Sequence, residues 1–94
     1  MSFYVYIISN KKNGTIYIGY TNDLGKRMKQ HKNGTGSRFA KRYALDKLVY
    51  YEKFKFPMSA IKREKQLKKW NRQWKINLIN DFNPKWEDLT WFFE

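Results

Sequence analysis

Two short β-rich segments separated by a turn commit the start of this chain to an antiparallel hairpin. Phe3 to Ile8 is dense in aromatic and β-branched residues, and Thr15 to Tyr20 is a second segment of the same kind. Between them, Asn10-Lys11-Lys12-Asn13-Gly14 is turn chemistry, because Asn-Gly accepts the positive φ of a tight reversal. Side chains alternate along a strand, so Tyr4 and Tyr6 share one face of the sheet and Val5 and Ile7 the other. Tyr17 likewise shares a face with Gly19.

Helical signals follow at once. Thr21, Asn22 or Asp23 is available to cap a helix running to about Lys32. Leu24 and Met28 form its apolar stripe, and Arg27 and His31, four residues apart, form a second stripe at the edge of the first. Asn33-Gly34-Thr35-Gly36 stops this helix, and Ser37 to Tyr43 is a short helix or a loop. Lys47 to Phe56, containing Leu48-Val49-Tyr50-Tyr51, reads as a third strand that Pro57 ends. Ser59 begins a helix over Ala60 to about Trp70, which either continues or kinks into Gln73 to Asn80. Asn83-Pro84 breaks the pattern before an aromatic tail whose Trp86, Trp91, Phe92 and Phe93 are expected to pack on the sheet. If they do not pack there, they offer an interaction surface. No repeat, linker or low-complexity segment divides the 94 residues, which predicts one domain over residues 1–94.

A chain of this size has a modest core, and its 19% aromatic content compensates because each ring buries a large area. Twenty basic residues against eight acidic ones leave a net charge of +12, a field that attracts polyanions, nucleic acid above all. Cysteine is absent, which excludes disulfides and thiolate metal sites. The apolar run from Phe3 to Ile8 is far short of a membrane span, so the expectation is a soluble cytoplasmic protein without a membrane partner.

Within the second helical stretch, Ala60, Leu67 and Trp74 fall on one arc with Ile61 across from them, and Glu64 lies between these apolar positions. Lys62, Arg63, Lys65 and Lys69 occupy the remainder. A carboxylate turned toward a core is costly unless it is paired or metal-bound, and a salt bridge to a neighbouring cation satisfies the pattern as well as a metal does. His31, the single histidine, reads on its own as a surface or capping residue before it reads as a catalyst, and Arg27 one turn away is what raises the second reading. Tyr6 and Tyr17 read as ordinary strand aromatics when taken alone.

Taken in order, these residues resemble a GIY-YIG domain, the nuclease module of intron-homing endonucleases and of the bacterial excinuclease C subunit. The likeness spans nearly the whole chain and is nearest to the small stand-alone bacterial members. Tyr4-Val5-Tyr6 stands at the first element, with only the tyrosine kept, and Tyr17-Ile18-Gly19 matches the second. Thr21-Asn22-Asp23-Leu24 with Arg27 and His31 is similar to the helix signature, and Ala60 to Lys68 to the segment carrying the metal-binding glutamate, here Glu64. The resemblance implies an α+β fold, a three-stranded antiparallel sheet flanked by helices. It also implies a divalent-metal-dependent endonuclease acting on DNA in repair or processing.

On the same grounds Glu64 is expected to hold one Mg²⁺ or Mn²⁺, and Arg27 to add donors to the charge developing on the phosphate. Tyr17, assisted by His31, is expected to activate water, and Tyr6 to position it. A phenol titrates near pH ~10, so a tyrosine base needs nearby cations. A further active-site asparagine is sought among Asn71, Asn77 and Asn80, with Asn77 favoured by its distance from Glu64. Arg38, Lys41, Arg42, Lys62 and Lys65 are candidates for phosphate-backbone contacts. The expected substrate is branched or single-stranded DNA, or RNA, with specificity borrowed from a protein partner. The alternative reading is a non-catalytic nucleic-acid-binding module that keeps the scaffold.

Overall fold

A computed structural model describes residues 1–93. In chain order it contains β1 (Phe3–Ser9), β2 (Ile16–Thr21), α1 (Leu24–Lys32), α2 (Arg38–Arg42), β3 (Lys47–Phe54), α3 (Pro57–Lys69) and α4 (Arg72–Phe82). A 3₁₀ turn, Thr90–Phe93, closes it. The fold is α+β: three antiparallel strands in the order β2-β1-β3, with helices on both faces.

The hairpin forms where the turn residues predict it. Ser9 Oγ donates to the carbonyls of Lys11 and Thr15, Asn10 Oδ1 accepts from the Thr15 amide, and Asn13 takes a φ of 59°. Arg72, in the first turn of α4, donates to the carbonyls of Asn13 and Gly14 at 2.8 and 2.6 Å. The hairpin register pairs Tyr6 with Gly19.

β1 is central, and both its faces are covered. Val5 and Ile7 meet Ala60, Leu67 and Ile79 of α3 and α4, whereas Tyr6 and Ile8 meet Leu24 and Met28 of α1 and Ala40 of α2. An irregularity between Ile7 and Ile8 in the pairing with β3 lets neighbouring Val49 and Tyr50 both join the first cluster while Leu48 joins the second. Among the three capping candidates, Asp23 caps α1 by accepting from the Lys26 amide. Ser37 to Tyr43 is a short helix with its cap and one flanking residue.

Three expectations change. The third strand ends at Phe54, because Pro57 occupies the first turn of α3 and Phe56 must be extended before it. The second helical stretch does not run through: Trp70 and Asn71 are extended, and Asn71 Oδ1 caps α4 by accepting from the Trp74 amide at 2.9 Å. Asparagine favours a cap over a helix interior, so the arc that joined Trp74 to Ala60 and Leu67 is broken there. Trp74 is exposed and packs edge-on against Trp70. In the tail, Trp86 and Phe93 pack as expected, but Trp91 and Phe92 stack on each other in solvent. A 3₁₀ turn aligns residues three apart, so Thr90 and Phe93 share the inner side and the two rings between them face out.

Asn83 ties the tail to the sheet. Its buried amide donates to the carbonyls of Val49 and Glu87 and accepts from the Glu87 amide. Asn83→Ala strands these groups and should destabilise the fold by about 2–3 kcal/mol. Urea denaturation checks this, and an unchanged midpoint would show that water replaces the amide without cost.

Candidate active site

Tyr6 lies at the middle of β1, and its ring crosses the neighbouring strand over Gly19. A Cβ built on Gly19 would stand 2.4 Å from both Cζ and Oη of that ring, so the glycine provides the space the phenol occupies. Beyond it, Tyr6 Oη meets His31 Nε2 at 2.8 Å in a buried hydrogen bond. His31 reaches this point because the capped α1 carries Leu24, Met28 and His31 on its sheet-facing side. The imidazole is a core group, only 4% exposed, rather than a surface one.

Tyr17 touches the same imidazole through ring contact, with centroids 5.9 Å apart, so the polar partner of His31 is Tyr6. Gly36 backs the ring on its other side; a Cβ there would lie 2.7 Å from Nδ1. That nitrogen is buried and has no hydrogen-bond partner among the described residues.

The electrostatics follow from burial. Desolvation, reinforced by the Arg27 guanidinium, lowers the His31 pKa to about 4, so the ring is neutral near pH 7. Burial pushes the Tyr6 phenol well above its ordinary value. Arg27 opposes the rise, and Tyr17 and Glu64 add to it. Arg27 of α1 and Glu64 of α3 are therefore both within electrostatic reach of one phenol, although α3 packs chiefly with the other face of β1. Tyr6, Tyr17 and His31 are in direct contact, with Arg27 one turn before His31 on α1, and Glu64 of α3 pairs with Lys68, which lines a groove together with Tyr17.

The Glu64 side chain is 19% exposed and pairs with Lys68 Nζ at 3.3 Å, one turn along α3. Among the described residues no group of three or more His, Cys, Asp and Glu side chains gathers to form a metal cage. A lone, largely shielded carboxylate still suits Mg²⁺ or Mn²⁺, since Mg²⁺ keeps several waters and takes one or two carboxylates plus substrate phosphate. The donor set fits an ion completed by substrate.

The three asparagine candidates are engaged in other contacts. Asn71 caps α4, Asn77 Oδ1 accepts from Gln73, and Asn80 Oδ1 accepts from the indole of Trp86. Arg38, Lys41 and Arg42 are exposed on α2, near Tyr17 through Phe39. Lys62 and Lys65 are exposed on α3, about 200° and 100° around the helix from Glu64. Phe39, Lys68 and Lys75, which join Tyr17 in lining a groove at the β2 edge, were not singled out by spacing.

Comparison with known proteins agrees with this fold. The model of the GIY-YIG catalytic domain matches residues 2–77. A UPF0213 protein of Staphylococcus saprophyticus is 40% identical over 83% of this chain and 94% of its own length. One of Clostridium perfringens is 40% identical over 90% of both. The solution structure of a UPF0213 protein from Bacillus halodurans superposes with a TM-score of 0.59 at 31% identity, covering 94% of this chain and 93% of that one. Among the described residues no helix is long and apolar enough to cross a membrane. With both tyrosine elements, the Arg27–His31 helix and the Glu64 helix in place, the chain belongs to the GIY-YIG catalytic domain family, a family of nucleases.

Proposed function

We propose that this chain is a divalent-metal-dependent endonuclease that hydrolyses phosphodiester bonds in DNA, selecting substrate by structure or through a partner, in DNA repair or processing. The observation that carries the reading is the buried Tyr6–His31 hydrogen bond, set within the fields of Arg27 and Glu64.

The residues divide the work as follows. The 2.8 Å hydrogen bond to His31 orients the Tyr6 phenol, which makes Tyr6 a better-positioned candidate for the base than Tyr17, and the cations around it would supply the fall in pKa that such a role requires. Tyr17, in ring contact with His31, holds the imidazole in place and lines the approach to it. Arg27 stabilises the ionised phenol and the charge gathering on the phosphate. Glu64 would hold Mg²⁺ or Mn²⁺, exchanging Lys68 for it. Bound there, the ion supplies positive charge that stabilises phosphate oxygens and favours an ionised phenol. Arg38, Lys41, Arg42, Lys62 and Lys65 add backbone contacts that carry no sequence information.

Nicking of branched and single-stranded DNA with Mg²⁺ or Mn²⁺ tests the reading. Glu64→Ala and Arg27→Ala should each lower the rate by about 100-fold or more. Equal rates in wild type and both variants, or no cleavage by wild type under broad conditions, would sink it. The Glu64–Lys68 pair gives the rival reading, a binding module, its one specific support. Salt-sensitive binding without cleavage, unaffected by Glu64→Ala, is its signature.

A further inference from the structure

α2 is short, but its two sides differ sharply. Ala40 and the following Leu45 are buried against the sheet, whereas Phe39 and Tyr43 remain 43% and 40% exposed. These two rings form the outer part of a series that begins at the site. Tyr17, in contact with His31, stacks on Phe39 at 6.2 Å and 30°, Phe39 meets Tyr43 at 4.9 Å, and the Arg42 guanidinium stands 5.5 Å over Tyr43.

Phe39 also borders a groove of about 390 Å³, whose other walls are Ile16, Tyr17, Ile18, Lys68 and Lys75. Its cations connect directly with the candidate active site. Lys68 is the ion-pair partner of Glu64, and Lys75 Nζ donates to the Lys68 carbonyl. Aromatic faces on one wall and ammonium groups on the other match a ligand with flat rings on a polyanionic backbone.

We propose that this groove receives an unpaired nucleotide of single-stranded DNA, its base stacked on Phe39 and its phosphates held by Lys68 and Lys75. A paired base keeps its faces inside the duplex, whereas an unpaired one offers them to a side-chain ring. With the groove opening next to Tyr17, the preferred substrate is DNA with an unpaired flank beside the cleaved bond. This substrate assignment rests on the nuclease reading above, but the binding site does not.

Binding measured in EDTA separates the two. The probes are a fluorescein-labelled oligothymidine of about 15 nucleotides and a blunt duplex of the same length. Phe39→Ala should weaken oligothymidine binding about tenfold and change duplex binding less than about twofold. Phe39→Trp should preserve binding, and Phe39→Leu, which keeps apolar bulk without a ring, should behave like the alanine variant. Oligothymidine affinity unaffected by Phe39→Ala, an equal loss on duplex, or leucine serving as well as tryptophan would each overturn the proposal. Cleavage assayed in parallel reports separately. A wild type that binds through Phe39 but never cuts defeats the nuclease reading alone, and one that cuts with Phe39-independent binding defeats the stacking site alone.

Discussion

A Gly19→Ala variant should be less stable by about 1–3 kcal/mol and should cleave DNA about 100-fold more slowly. One methyl group carries this large an effect because it has no room. It would stand 2.4 Å from Cζ and Oη of Tyr6, a ring buried in the core and hydrogen-bonded to His31. The phenol must move, and when it moves the 2.8 Å contact with Nε2 goes with it. The ordinary cost of packing a methyl into a sheet is distinguished by background. In Tyr6→Leu, where the ring is absent, Gly19→Ala should cost little more, because residues in contact are not additive. The same penalty in both backgrounds, read from urea midpoints, would mean that Gly19 serves the strand and not the phenol.

Lowering the pH from about 6.5 to about 4 should remove stability on the order of 3 kcal/mol, and His31→Gln should abolish most of that slope. Burial, then Arg27, holds the folded pKa of His31 near 4, whereas the unfolded ring titrates near ~6.5. Between these values the unfolded chain binds a proton that the native chain refuses. The contribution is therefore complete above pH ~6.5, falls as the pH approaches 4, and changes no further below that. Asp88 acts in a more acidic window. Burial would raise its pKa, but hydrogen bonds from Lys32, Thr90 and Leu48 outweigh that and hold it below the usual carboxylate range. Its contribution is present above the unfolded value near ~3.9 and is lost only as the pH falls through the depressed one. Denaturation of wild type and His31→Gln at pH 7 and pH 5 settles the matter; parallel losses would assign the slope to other groups.

Much of this architecture was legible in the sequence because it is local. The hairpin is written in Asn13-Gly14 between two β-rich runs, and α1 in its cap and four-residue spacing. Alternation placed Tyr6 and Val5 on opposite faces, and helical periodicity put Arg27 and His31 side by side. Glu64 emerged because it interrupts an apolar arc. What escaped depends on distance through space. Nothing in a linear reading says that His31 bonds to Tyr6 and not Tyr17, since a Cβ-free position on the next strand decides where the Tyr6 ring goes. The break at Trp70 follows from Asn71, which favours a cap, but the good helix formers on either side of it favour continuation, so a linear reading leaves both open. The exposed Trp91 and Phe92 follow from the 3₁₀ geometry of four residues, which composition does not reveal.

The guanidinium of Arg72 lends the β1–β2 turn an unusual constraint. Surface turns rich in Asn, Lys and Gly are the places where chains generally tolerate extra residues. Here the carbonyls of Asn13 and Gly14 are both held by a side chain 59 and 58 positions later, at the start of α4. A peptide inserted between Lys12 and Asn13 would do more than lengthen a loop, because it would unfasten the first turn of a helix remote in sequence. The tip of the hairpin and the beginning of α4 thus behave as one mechanical joint, and a change made at either is felt at the other.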